Sequence, residues 1–190
     1  MSDKERVDLA LPDWIRGMLL RPGETFAQAQ REMRYAYVWI LLCVFTVEAV
    51  MLLYHPDVRS AVPSLPADLL LLNLLSMLVI IYSIQVGLLF WSGWAFGWRV
   101  PLSDAMKYIG LIWALFLAED VVTFVPYLKG QDGLLLWLSL PFLGWRVAAL
   151  AAGVRAVSGL PPLRTVLIAL MATLPWQLPL LYLNWLSLHA

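Results

Sequence analysis

The sequence predicts an all-α polytopic membrane protein, with five transmembrane helices behind a short amphipathic N-terminal helix. Three observations carry this reading. Hydrophobic residues fill 62% of the 190 positions and charged residues 14%, with a mean hydropathy of +0.77. Soluble domains hold about 45–50% apolar and about 25% charged residues. The apolar residues gather into five runs, at about 36–54, 69–96, 105–127, 134–156 and 165–188. Each approaches or exceeds the roughly 20 residues that a bilayer core demands. Basic residues are sorted between alternate links. Lys4, Arg6, Arg16, Arg21, Arg31, Arg34, Arg99, Lys107, Arg155 and Arg164 fall on one side of a five-span chain, and Arg59 and Lys129 on the other. By the positive-inside rule the amino terminus is cytoplasmic and the carboxyl terminus external.

Residues 1–35 form a cytoplasmic segment and 36–190 the membrane domain. Met1 to Asp8 lacks the basic start and apolar stretch of a signal peptide, so the first span is expected to persist. Pro12 opens a short helix at a position where its missing N–H costs nothing. Trp14, Ile15, Met18 and Leu19 share one face of it. That face either lies in the cytoplasmic interface or packs onto the ends of the spans. Arg21 to Glu24 reads as a turn. Thr25 with Gln28 reads as a capping box, starting a helix expected to run unbroken into span one.

Link one, near His55 to Ala67, contains Pro56, Pro63 and Pro66 and reads as an external loop. Link two is tight, with Pro101 as breaker and Ser103 as cap of span three. Link three is the turn Lys129 to Gly133. Link four holds Ser158 to Pro162. Span five contains Pro175 and Pro179, so a kink or local unwinding is expected. Trp39, Trp91, Trp94, Trp98, Trp137 and Trp185 read as interfacial belts. Gly144, Ala148, Ala152 and Ala156 recur every four residues in span four, and Gly93 and Gly97 close span two; such small faces allow helices to approach, within the bundle or across a dimer seam.

Four ionisable residues interrupt the apolar runs: Glu48, Glu119, Asp120 and Arg146. Such groups are expensive in lipid and turn toward a partner inside the bundle. Helical rise puts Glu119 roughly 10 Å and Arg146 roughly 18 Å from the outer ends of their spans. The short turn between spans three and four makes them antiparallel neighbours, and an Arg side chain can bridge the difference in depth. Arg146 is therefore expected to pair with Glu119 or Asp120. Three acids facing one base leave carboxylates over, either protonated or holding a cation or proton.

Other chemistry finds little support. Net charge is zero, which points to no nucleic-acid partner. Cys43 is the lone cysteine, too few for an internal disulfide or a cysteine zinc cluster. His55, His189 and Asp57 have no spacing that demands a metal. The sequence holds no His-Glu-x-x-His and no phosphate-cradling glycine loop, so no catalytic residue, cofactor or metal is assigned.

The layout resembles the Yip family, named for interaction with Ypt/Rab GTPases. Leu19-Leu20-Arg21-Pro22-Gly23-Glu24-Thr25-Phe26 is similar to the Pro-x-x-x-Phe entry of its bacterial members, and Tyr108, Gly110 and Pro126 resemble residues of its third span. The resemblance implies five spans, a cytoplasmic amino terminus and a bacterial inner membrane. The Asp-Leu-Tyr-Gly-Pro motif of the longer eukaryotic members is missing, so GTPase binding does not carry over. The expected function is that of a non-enzymatic scaffold or membrane-organising factor, whose partners are the lipid bilayer and other membrane proteins or a second copy. The alternative is a small transporter or channel using Glu48, Glu119 and Asp120.

Overall fold

The computed structural model describes residues 10–54 and 66–187, and the secondary structure there is helical. The helices are α1 (Leu11–Leu20), α2 (Pro22–Glu32), α3 (Ala36–Tyr54), α4 (Ala67–Ala95), α5 (Leu102–Leu128), α6 (Asp132–Ser158) and α7 (Pro162–Ser187). The last five coincide with the five apolar runs. Among the described residues, three helices are long and apolar enough to cross a membrane: Asp68–Ala95, Leu102–Leu128 and Gly133–Ser158. α3 and α7 carry shorter apolar stretches, Ala36–Met51 and Pro162–Pro175. Outward faces repeat the message. Leu72, Ile80, Val121 and Trp137 are exposed where a water-soluble protein would show polar residues. The chain is a multi-pass membrane protein.

The centre of the bundle is α5. It packs against α1, α2, α3, α4 and α6. Of its most apolar stretch 61% is buried, against 22% in α4 and in α6. α7 closes the ring by packing on α4 and α6. The helix ends explain the tight links. α4 stops where Gly97 takes φ 89°, the Trp98 N–H donates to the Gly93 carbonyl at 2.7 Å and the Gly97 N–H donates to Trp94. α5 ends the same way on Gly130, whose φ is 61°, with Gln131 donating to Pro126 at 3.0 Å. These are Schellman ends, which satisfy carbonyls that would otherwise be orphaned.

The amino-terminal helices depart from the sequence expectation. α2 begins at Pro22, so Arg21 to Glu24 is not a free turn. Thr25 lies inside the helix and donates its hydroxyl to the Arg21 carbonyl at 2.9 Å, while Gln28 bonds Glu32 at 2.8 Å; no capping box forms. Proline at the first position has replaced the side-chain cap. Ser103 likewise caps nothing, because α5 starts at Leu102 behind Pro101. α2 and α3 are separate helices, broken at extended Met33. The break has a tertiary cause. Phe26, Ala29 and Met33 are buried toward α5 and α6, whereas Tyr37 starts α3 against Gly110 of α5. One straight rod cannot serve both contacts. α7 stays helical through Pro175 and Pro179, so the expected unwinding does not occur.

α1, α2, the α4–α5 loop and the α6–α7 loop meet at one end. Gly23 abuts Ala152 and Ala156, and Arg164 reaches Gly97. There Phe26 stacks on Tyr108 with ring centroids 4.8 Å apart, and Trp98 stacks on Tyr108 at 6.0 Å. A side chain at Gly153 would place its Cβ 2.4 Å from the Phe26 ring. Gly153→Val is expected to cost about 1–3 kcal/mol by overpacking, read as a lower Tm in detergent. Gly144→Val, with open space around its Cβ, should leave Tm nearly unchanged.

Candidate functional site

Glu119 and Asp120 are consecutive on α5, so their side chains diverge by about 100° around the helix. Glu119 meets α6. Arg146 Nη1 donates to Glu119 Oε2 at 2.7 Å, with both side chains buried. The Arg146 guanidinium carbon also lies 3.9 Å from the centroid of the Phe116 ring, one turn before Glu119. A cation over an aromatic face gains further attraction where water is excluded. Thr123 donates to the Glu119 backbone carbonyl at 2.9 Å. Glu48, half-buried on α3, feels the charges of both Glu119 and Arg146. Three charged residues from three helices, Glu48, Glu119 and Arg146, thus lie within electrostatic reach of one another.

Asp120 points elsewhere. It is 7% exposed, and its Oδ2 is buried with no hydrogen-bond partner. Asp120 lines a cavity of about 410 Å³ between α3 and α5, walled by Val47, Met51, Leu117, Val121 and Phe124. Val121 is 81% exposed, so this groove opens on the flank of the bundle, toward lipid. A second apolar cavity of about 260 Å³ shares Met51 and Phe124 and continues toward Tyr54 and Leu128. Among the described residues, no three His, Cys, Asp or Glu side chains converge as metal ligands do. His55, Asp57 and His189 lie outside the described residues.

The other candidate residues are placed differently from their sequence reading. Trp14 and Met18 are buried in the protein core, and Ile15 and Leu19 pack against it. The apolar face of α1 is therefore occupied by the bundle and does not enter the interface as an anchor. Gly93 and Gly97 build the end of α4, not a helix–helix seam. Gly144, Ala148, Ala152 and Ala156 are exposed along α6. The Ala152–Ala156 end meets α2 at Gly23, while nothing lies within 4 Å of a Cβ at Gly144. The close approaches use Gly17, Gly110 and Gly153 instead, against Thr25, Tyr37 and Phe26. Trp39, Trp91, Trp94 and Trp137 are exposed as lipid-facing belts require, but Trp98 lies beyond the end of α4 on the aromatic stack. The side chain of Trp185 lies outside the described set.

Two cross-links were not among the sequence candidates. Trp113 Nε1 donates to Gln85 Oε1 at 2.6 Å, and the Tyr82 hydroxyl donates to the Met106 carbonyl at 2.7 Å. Both tie α4 to α5. Gln85 was visible as an uncharged polar residue inside an apolar run, the kind of group that bonds across helices in lipid.

No protein-family model, curated protein or solved structure matches the chain. The chemistry of the site therefore rests on its own geometry. It is a buried ion pair with two acids left over, Glu48 on α3 and Asp120 facing an apolar groove.

Removing one partner of a buried pair strands the other charge. Arg146→Ala is expected to destabilise the fold by about 3–5 kcal/mol. Replacing Glu119, Asp120 and Arg146 together by Leu should recover much of that loss. Thermal melts of the purified variants in detergent check both outcomes.

Proposed function

We propose that this protein is a non-enzymatic scaffold or membrane-organising factor. It crosses a bacterial inner membrane five times, with its amino terminus in the cytoplasm and its carboxyl terminus outside, in the manner of the Yip family it resembles. The observation that carries the proposal is the burial of the Arg146–Glu119 pair beside apolar grooves. Arg146 and Glu119 are paired and buried, and the adjoining grooves beside Asp120 are lined almost wholly by apolar side chains. An ion pathway needs polar lining and water along its length. A charge pair between two helices, closed to water, fixes their register instead.

Several features support the topology. α3 and α7 are 19 and 26 residues long, enough for about 28 Å and 39 Å of helix. Arg99 in the α4–α5 loop and Arg164 in the first turn of α7 meet at one end with α1 and α2, while Lys129 sits at the far end of α5. That arrangement suits the positive-inside rule.

The proposal makes two expectations. Single cysteines at Ser103 and Ser158, in a Cys43→Ser background, should resist an impermeant thiol reagent in intact cells, whereas one at Gln131 should react. Labelling at Ser103 from outside removes the topology. Purified protein in liposomes should pass no more protons or cations than empty vesicles. A flux abolished by Asp120→Asn, with the fold intact, replaces the scaffold by a transporter, since Asn keeps the shape of Asp but not its charge.

A further inference from the structure

The break between α2 and α3 opens a cavity of about 570 Å³, within the size range of small-molecule sites. Its lining changes character along the chain. Glu32 and Arg34 form a charged rim, Tyr35 and Trp39 follow, and Cys43 lies further up α3. From the start of α3 at Ala36 to Cys43 is about 10 Å of helical rise, running from the charged rim into the apolar zone. Tyr35 is 73% and Trp39 63% exposed, as side chains at the headgroup level of a bilayer are. Trp14, buried, forms part of the opposite wall.

The two charges on the rim are not used against each other. Arg34 makes no ion pair or side-chain hydrogen bond among the described residues, and Glu32 Oε2 is engaged only by Gln28, at 2.8 Å. A guanidinium and a carboxylate two residues apart, both exposed, thus border one amphipathic cleft. We propose that this cleft binds a phospholipid with a primary-amine headgroup, such as phosphatidylethanolamine. Arg34 takes the phosphate, for which its planar fork of donors is suited. Glu32 accepts hydrogen bonds from the ammonium. The first acyl carbons run past Trp39 toward Cys43. Charge complementarity selects this lipid: a purely anionic headgroup leaves Glu32 unmatched, and a choline headgroup offers it no N–H. The inference rests on membrane insertion and is independent of the scaffold reading.

Cys43 supplies a local readout, because it is the only cysteine in the chain and lines the cleft. The full-length protein in a neutral detergent is titrated with dioleoyl phosphatidylethanolamine, phosphatidylcholine or phosphatidylglycerol, and the rate of Cys43 alkylation by a small maleimide is followed. Phosphatidylethanolamine should slow alkylation at concentrations roughly ten-fold lower than the other two, the ratio expected for one charge-assisted hydrogen bond. Glu32→Gln should erase that preference and keep the protection. Arg34→Ala should weaken protection by all three lipids. Both positions are exposed, so Tm should stay constant and report an intact fold. Glycerophosphoethanolamine, the headgroup without chains, should give no protection; if it protects as well as the lipid, the site is one for a soluble phosphate ester and the lipid assignment fails. Equal protection by the three lipids, or none by any, also overturns the proposal.

Discussion

A helix that packs against five others, in a solvent as apolar as its own side chains, cannot be held there by hydrophobicity alone. That is the situation of α5, and the rest of the architecture depends on it. Leaving lipid for protein gives a leucine little, so association rests on close packing and on polar contacts across helices. α5 has both at intervals along its length. Tyr108 lies between the Phe26 and Trp98 rings near its start. Trp113 bonds Gln85 near its middle. Glu119 bonds Arg146 in its second half. Each contact goes to a different neighbour or a different depth, so together they fix rotation, height and partner order in a way that apolar burial cannot.

The ion pair shows how depth and reach combine. Glu119 lies about 14 Å, and Arg146 about 21 Å, from the ends of α5 and α6 that face the short turn joining them. The Arg side chain covers the difference by extending along the helix, and its guanidinium lies over the Phe116 ring on the way. A lysine could offer charge but not a flat face for the ring together with directed donors for the carboxylate. Arg146 therefore acts as a strut between two heights on two helices, and the length of the strut sets their register.

Much of this was legible in the sequence, and the parts that were not share a cause. The positions of the five long helices followed from hydropathy, because apolar run length is a local property. The pairing of Arg146 with an acid of span three followed from depth arithmetic and a short connecting turn. What local reasoning missed was which face of each helix meets protein. On α6 the Gly144–Ala148–Ala152 stripe looked like the seam, yet the seam at this bundle end is Gly153, one residue further round. In lipid both faces of a helix are apolar, so the pattern that marks the buried side of a soluble helix is lost. The break before α3 was hidden for a related reason. Arg34 and Tyr35 are ordinary helix residues, and only the diverging contacts of Phe26 and Tyr37 interrupt the helix there.

The two ends of α5 are secured by different chemistry. At the end where α1 and α2 dock, apolar and aromatic surfaces interlock around Phe26 and Gly153. Toward the other end the Arg146–Glu119 salt bridge and the Arg146–Phe116 contact join the packing on α6, while the α3 side keeps apolar grooves open beside Asp120. Interlocked rings resist sliding and separation alike. An ion pair fixes height and partner, because its donors and acceptors must meet at one depth. α3 is nonetheless held to α5 elsewhere along the seam, by Tyr37 against Gly110 and by Phe45 edge-on to Trp113 with ring centroids 5.3 Å apart. α3 also carries the amphipathic cleft at its opposite end. An occupant bridging Arg34 and Trp39 would therefore add a contact at the base of a helix that Tyr37 and Phe45 already fix to α5.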